Sequence, residues 1–195
     1  MKRNIIALFF LSALVISCKK STDTTPVAIT KPRVGTAWTY QLDTYGAGAT
    51  TFTSSNVVLK VSNEQTIGAD TWLNVTDSTG ATIYLFKQKI DGLYHYANST
   101  ANLLCKDPTA VGEIYTAFHN GASTTFTVKE TNITIGGSPF PDFVVNHYEG
   151  LQAGLLKDMI WYNTDAWIVR KETYAVNMSG ANNIKYRWRL LKVVY

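Results

Sequence analysis

The chain has 195 residues, of which 46% are hydrophobic and only 16% are charged, with a formal net charge of +4. A typical soluble domain carries roughly 25% charged residues, so this composition excludes a disordered polyelectrolyte and indicates one well-filled core. The two cysteines exclude a disulfide framework. They also show no metal-ligand spacing with the three histidines, so neither a metal nor a cofactor is predicted.

The first seventeen residues have the pattern of a secretory signal peptide. Lys2 and Arg3 precede an apolar run from Ile5 to Ile16, which a small residue, Ser17, follows. Twelve residues rise only about 18 Å as a helix, which is too short to cross a hydrocarbon core of about 30 Å. We therefore predict that 1–17 is a signal segment and not a membrane span.

The end of this segment carries a short motif. Val15-Ile16-Ser17-Cys18 resembles the lipobox of bacterial lipoproteins. The resemblance implies that Cys18 becomes the first residue of the mature chain, carries acyl chains such as palmitate, and makes the membrane a partner. Residue 19 is lysine, where some Gram-negative families have the aspartate that retains a lipoprotein in the inner membrane. The expected location is therefore the outer membrane of a bacterial cell envelope, on either face; the alternative is a secreted protein with a cysteine there by chance.

Residues 18–33 show neither a helical nor a strand period and contain Pro26 and Pro32, so they are predicted to be a flexible tether. The domain is then 34–195. Removing Lys2 and Arg3 lowers the net charge to about +2, which gives no clustered basic footprint for nucleic acid. No nucleic-acid partner is predicted.

From residue 34 onward, apolar residues recur with a period of two, as where Trp38, Tyr40 and Leu42 share one face. Asp91-Gly92 and Asn120-Gly121 suit type I′ hairpins, and 151–157 is the only candidate helix. Without crossover helices, the strands must pair antiparallel. We predict an all-β fold, a single antiparallel meander of about 11 or 12 strands curled into a barrel or half-barrel; the alternative is a two-layer sandwich.

The start of the domain, Pro32-x-x-Gly35-x-x-Trp38-x-Tyr40, resembles the opening of uncharacterised all-β envelope lipoproteins. It is also similar to lipocalins, in which a glycine and a tryptophan near the amino end pack against an arginine of the last strand. Here the glycine and the tryptophan are three residues apart instead of two. The arginines that the resemblance implies are Arg187 and Arg189.

Side chains able to bind a ligand are spread over several strands. Aromatic rings of a concave sheet contact apolar or sugar faces, and arginines suit anionic groups. The predicted ligand-binding residues are Trp38, Tyr94, Tyr96, Trp161, Trp188, Arg187 and Arg189. His147 and Glu149 share a strand face but lack a third metal ligand, His119 is expected at an exposed turn, and Cys105 is expected in the core.

No nucleophile or metalloprotease motif occurs in the chain, so no catalytic residue is predicted and an enzyme is not favoured. The predicted function is non-enzymatic binding of an apolar or amphipathic small molecule in the curved sheet of a lipid-anchored envelope protein. The alternatives are a surface module that binds glycans or proteins through exposed Trp and Tyr and, third, a hydrolase.

Overall fold

The computed structural model describes residues 31–46, 48, 50–176 and 180–195. The predicted signal segment, Cys18 and most of the predicted tether lie outside these residues. The described part contains twelve β-strands and no helix long and apolar enough to cross a membrane. The strands are Ala37–Tyr45 (β1), Phe52–Ile67 (β2), Asp70–Thr76 (β3), Thr82–Lys89 (β4), Gly92–Ala97 (β5), Thr100–Lys106 (β6), Ile114–His119 (β7), Ala122–Gly137 (β8), Phe140–Gln152 (β9), Leu155–Asn163 (β10), Trp167–Val176 (β11) and Asn182–Val194 (β12).

All twelve strands belong to one sheet, in the order β6-β5-β4-β3-β2-β1-β12-β11-β10-β9-β8-β7. Strands that are consecutive in the chain pair antiparallel, except β6 and β7, and β1 also pairs with β12 from Ala37↔Val194 to Thr44↔Tyr186. The sheet therefore curls into a barrel that is closed except between β6 and β7. This confirms the predicted all-β meander and selects the barrel over the two-layer sandwich.

The gap between β6 and β7 is bridged by side chains, since no ladder of described residues joins these two strands. The Phe118 N–H donates to the Asn102 Oδ1 at 3.0 Å, and the Tyr115 hydroxyl donates to the Leu104 carbonyl at 2.8 Å. The Lys106 Nζ lies 3.0 Å from the Glu113 Oε1. The first two contacts satisfy backbone groups that an open sheet edge would leave exposed, and the third is an ion pair between side chains.

Aromatic side chains from opposite walls fill the interior. The Trp38 indole N–H donates to the Ala166 carbonyl at 2.9 Å, and its ring stacks on Trp167 at 5.4 Å between centroids. The Phe86 ring contacts Trp167 edge-on at 5.4 Å, although β4 and β11 are five places apart in the sheet. In a sheet closed in this way, contacts between strands so far apart cross the interior, which locates the core there.

The β7–β8 turn follows the sequence rule. Asn120 and Gly121 have φ of 49° and 81°, the conformation that a two-residue type I′ turn requires. The prediction for Asp91-Gly92 is wrong by one residue, because Lys89 pairs with Gly92 and the turn residues are Ile90 and Asp91. The candidate helix at 151–157 is also wrong. This segment is the β9–β10 hairpin, in which Ala153 and Gly154 have φ of 49° and 78°.

The alternation of strand direction defines two ends of the barrel. We call the end at which β1 begins the tether end, because the chain before residue 37 arrives there, and the opposite end the far end. Since neighbouring strands are antiparallel, β4 begins and β5 ends at the far end, which also carries the Asn120-Gly121 turn.

Candidate functional site

A charged cluster lies inside the barrel and consists of Asp158 on β10, Lys171 on β11 and His119 at the end of β7. The Lys171 Nζ lies 3.4 Å from the Asp158 Oδ1 and 3.4 Å from the His119 Nε2. The His119 Nε2 lies 3.5 Å from the Asp158 Oδ2. None of the three side chains is more than 10% exposed. An ion pair buried this deeply requires further hydrogen bonds to offset the loss of hydration.

Asp158 receives those hydrogen bonds from two neighbours. The Asn120 Nδ2 donates to its Oδ2 at 2.8 Å and the Thr173 Oγ1 donates to its Oδ1 at 3.0 Å. Burial alone would raise the pKa of Asp158, but the Lys171 charge and the bond to His119 outweigh burial and hold this pKa well below its usual range. Burial would likewise lower the pKa of Lys171, yet the oxygens of Tyr84 and Asp158 raise it. The pair is therefore ionised and electrically balanced at neutral pH.

His95 on β5 extends the charged cluster, with its ring edge-on to that of His119 at 5.3 Å between centroids. Burial, followed by the charges of His119 and Lys171, lowers the pKa of His95 to about 4, so the ring is neutral at pH 7. Burial and Lys171 lower the pKa of His119 as well. Within the described structure, the His95 Nε2 and the His119 Nδ1 are buried and have no hydrogen-bond partner.

One cavity inside the barrel, the aromatic cavity, has a volume of about 40 Å³. Its wall is formed by rings and aliphatic side chains of β4, β3, β2, β1, β12 and β11, and Lys171 is its charged member. Five of the lining rings belong to Trp38, Tyr40, Phe86, Trp167 and Trp188. Since one water needs roughly 10–15 Å³, this space suits a few waters or the end of an apolar group.

A larger side cavity of about 270 Å³ lies where β4 and β5 diverge. The ladder between these strands runs from Lys89↔Gly92 to Phe86↔His95 and stops there. Residues 82–85 on β4, His95 of the last pair and residues 96–97 on β5 line the side cavity together with His119 and Asn120. Tyr84 lines both the side cavity and the aromatic cavity.

The predicted ligand-binding residues fall in four places. Trp38 and Trp188 line the aromatic cavity, and Tyr96 lines the side cavity. The Tyr94 hydroxyl donates to the Asp91 carboxylate at 2.6 Å. Trp161, Arg187 and Arg189 belong to a separate group of charged and aromatic side chains on β8, β9, β10, β11, β12 and β1.

That separate group is closely paired. The Trp161 ring is 7% exposed and lies between the ring of His147 at 4.3 Å and the guanidinium of Arg170 at 4.4 Å. Arg187 pairs with Glu172 at 2.7 Å. Arg189 pairs with Asp43 at 2.7 Å and covers the Phe140 ring at 4.3 Å. The contact between Arg189 and Phe140 joins β12 to the start of β9, and both arginines are engaged in ion pairs.

His147 and Glu149 do not meet at one site. The His147 Nδ1 bonds to the Glu130 Oε2 at 3.0 Å, whereas the Glu149 Oε2 lies 3.2 Å from the Lys129 Nζ. The described residues include no group of three or more His, Cys, Asp or Glu side chains arranged to hold a metal ion. Cys105 is fully buried, as expected, and burial raises the pKa of its thiol.

The charged cluster is not predicted from the sequence. His119 was expected at an exposed turn, but it is 2% exposed because the Asn120 side chain reaches Asp158 and draws the turn inward. The sequence does contain a signal for the burial of His119, since this residue continues the alternation of Tyr115 and Ala117 and therefore belongs to their face. Lys171 likewise continues the alternation of Trp167 and Val169. Which partners these side chains meet depends on strands far away in the sequence.

Comparison of the chain with protein-family models, with curated proteins and with solved structures gave no match.

Proposed function

We propose that this protein binds a small amphipathic molecule inside its barrel. The observation that carries the proposal is that one residue, Tyr84, lines two unlike spaces, the side cavity with its two histidines and the aromatic cavity. A ligand in the side cavity would contact the side chains of His95 and His119, while its apolar end is directed toward the aromatic rings. Binding sites for small molecules characteristically combine an apolar lining with a few convergent polar groups.

The charge balance of the site supports an amphipathic ligand. Asp158 already neutralises Lys171, so the interior does not require a counter-ion from the ligand. The aromatic cavity is small at about 40 Å³, so the apolar end enters fully only when Tyr84 moves. Tyr84 is half-buried and stacks on Phe86 at 4.8 Å, a contact that a rotation of its side chain would break.

The test is titration of the purified domain with short-chain amphiphiles, monitored by tryptophan fluorescence, because Trp38, Trp167 and Trp188 line the aromatic cavity. We expect saturable changes, and we expect Val75→Phe, which adds a ring to the cavity lining, to weaken binding. Trp161→Phe is the matched control, since Trp161 lies outside both cavities. Absence of saturable binding by any amphiphile, with a folded protein, would overturn the proposal.

We further propose that the protein is anchored to a bacterial envelope membrane, specifically the outer membrane, through acylated Cys18. The support is the lipobox resemblance at Val15-Ile16-Ser17-Cys18 together with a domain whose first strand begins at residue 37. The side cavity lies at the far end, so the tether would leave its opening free. Cys18→Ala should abolish labelling by radioactive palmitate in cells and leave the precursor unprocessed. Normal labelling of this variant would contradict the anchor.

A further inference from the structure

We propose that the tether end of the barrel lies against a lipid bilayer, and that Ile90, Val111 and Ile114 enter the boundary between its head groups and acyl chains. We call these three residues the apolar rim. This inference rests on the proposed anchor at Cys18 and adds to it the face of the domain that meets the membrane. The side cavity, at the far end, would then face the aqueous side.

Large apolar side chains are exposed in the connections of the tether end. Ile90 is 95% exposed in the two-residue β4–β5 turn, a position at which Gly, Asn, Asp or Ser is usual. Val111 in the β6–β7 loop is 62% exposed and Ile114 at the start of β7 is 67% exposed. Val34 and Val194, where the chain enters β1 and leaves β12, are about half exposed. Half of the exposed large hydrophobic side chains of the described residues therefore lie at this end.

Hydrogen bonds place the apolar rim on adjoining connections. The Asp107 N–H donates to the Asp91 carbonyl at 3.0 Å, so the β6–β7 loop is tied to the β4–β5 turn. Within that loop, the Glu113 carboxylate accepts from the Thr109 hydroxyl at 2.6 Å and from a backbone N–H at 3.3 Å. The loop is therefore folded around its own carboxylate, while Val111 is left exposed.

The charged side chains beside the apolar rim pair with one another. Lys87 and Lys89 share the Asp70 carboxylate at 2.6 and 3.0 Å, and Lys106 lies 3.0 Å from Glu113. A paired charge costs less than a lone charge when lipid replaces water around it. Because two lysines share one aspartate, these five side chains keep a net positive charge, which suits anionic head groups.

The path of the chain selects a bilayer as the surface that covers the apolar rim. The predicted tether leads from Cys18 to the start of β1 at Ala37. A flexible chain of this length has a root-mean-square span of about 25 Å. Since the chain enters the barrel at the tether end, an acylated Cys18 would keep this end nearer to the bilayer than the far end. Apolar side chains held there gain free energy by entering the head-group boundary.

The experiment measures the depth of a nitroxide label in the anchored protein. The chain acylated at Cys18 is placed in vesicles of phosphatidylethanolamine with a minor fraction of phosphatidylglycerol, and carries Ile90→Cys or Ile114→Cys. Cys105 is fully buried and does not compete for the label. Leu155→Cys is the matched control, because Leu155 is an exposed aliphatic residue at the far end. We expect the ratio of oxygen accessibility to nickel-chelate accessibility to be severalfold higher at positions 90 and 114 than at 155.

A second measurement removes the anchor. The chain from residue 18 with Cys18→Ser is sedimented with the same vesicles. Combining Ile90→Asn with Ile114→Asn should lower the vesicle-bound fraction about tenfold, because two apolar side chains no longer enter the lipid. Leu155→Asn should leave this fraction unchanged. All three side chains are exposed, so the substitutions remove no core contact.

The outcomes separate this inference from the anchor on which it rests. Equal accessibility at positions 90, 114 and 155 in the acylated, vesicle-bound protein would overturn the inference and leave the anchor intact. Shielding of position 90 from both oxygen and chelate would indicate contact with a second copy of the chain, and would also overturn it. Equal sedimentation of the double variant and its parent would contradict it as well. Absence of acylation at Cys18 would overturn the anchor itself.

Discussion

At the scale of single residues, the least expected feature is a set of ionisable side chains in a barrel filled mainly by aromatic rings. Lys171 and Asp158 are tolerated because each is paired and Asp158 also accepts bonds from Asn120 and Thr173. The two histidines of the interior differ from this pair. Their surroundings disfavour the charged ring, so they stay neutral at pH 7 and link the stability of the fold to pH.

The sign of that linkage follows from the pKa of His95, which falls from 6.5 to about 4 on folding. Below pH 6.5 the unfolded chain binds a proton at this position that the folded protein does not bind. The contribution of His95 to stability is therefore complete above pH 6.5 and is lost progressively as pH falls toward 4. We expect about 2 kcal/mol of unfolding free energy to be lost through His95 between pH 7.5 and 5, as measured by urea unfolding.

His95→Gln provides the comparison for this prediction, since glutamine does not titrate. Its unfolding free energy should depend less steeply on pH over the same window, with the remaining slope due largely to His119, whose pKa burial and Lys171 also lower. Asp158 does not contribute here, because its lowered pKa removes stability only below pH 3.8. Identical slopes for the variant and the natural protein would show that His95 is not a buried neutral ring.

At the scale of elements, the turns show what sequence can and cannot specify. Asn120-Gly121 forms the expected hairpin because both residues tolerate positive φ and the flanking strands pair in register. Asp91-Gly92 carries the same local signal, yet the turn moves to Ile90-Asp91 because Gly92 is needed elsewhere. A Cβ at Gly92 would lie 2.1 Å from the carbonyl oxygen of Cys105 on β6. That requirement arises from a neighbouring strand and cannot be read from the dipeptide.

Gly92→Ala should therefore be strongly destabilising. The added methyl group collides with the Cys105 carbonyl, and φ at this residue is +141°, so both packing and backbone are strained. We expect a loss of about 3 kcal/mol or more in unfolding free energy. Gly80→Ala is the control: φ is +83° but no atom lies within 4 Å of the new Cβ, so its cost should be about 1–2 kcal/mol. Equal losses in chemical denaturation would contradict the close contact.

The sequence predicts the fold more fully than the site. The period-two pattern correctly indicated the strands, their antiparallel pairing and a curled meander, because each of these follows from local alternation and short connections. Trp38 and Trp188 were predicted to bind ligand, and they line the aromatic cavity. Trp161 was chosen by the same reasoning, but the ring is enclosed by His147 and Arg170 from adjacent strands. Such contacts depend on the register in which one strand pairs with its neighbours, and local sequence does not specify that register.

At the scale of the whole molecule, the strands of the barrel differ in whether they pair with a neighbour on one side or on both sides. β1 and β12 each have a full ladder on both sides and form the centre of the sheet order. β6 and β7 have a ladder on one side, and on the other they have side-chain contacts such as that from the Phe118 N–H to Asn102. The side cavity lies next to this weaker region, since β5 pairs with β6. Access for a ligand and the least protected strands therefore occupy the same part of the fold.

This asymmetry predicts the order of amide hydrogen exchange. Strands paired on both sides open only with larger units of the structure, whereas an edge strand opens alone at lower free energy. Backbone amides of β1 and β12 should thus exchange most slowly, and those of β6 and β7 fastest among the strands, in exchange measured by mass spectrometry or NMR. Asn102→Ala should accelerate exchange at Phe118, its hydrogen-bond partner, and leave β1 unchanged. Uniform protection around the barrel would mean that the contacts between β6 and β7 are as strong as a ladder. An amphiphile bound in the side cavity should slow exchange in β5 and β6 first, because ordering the wall of that cavity restrains the strands beside it.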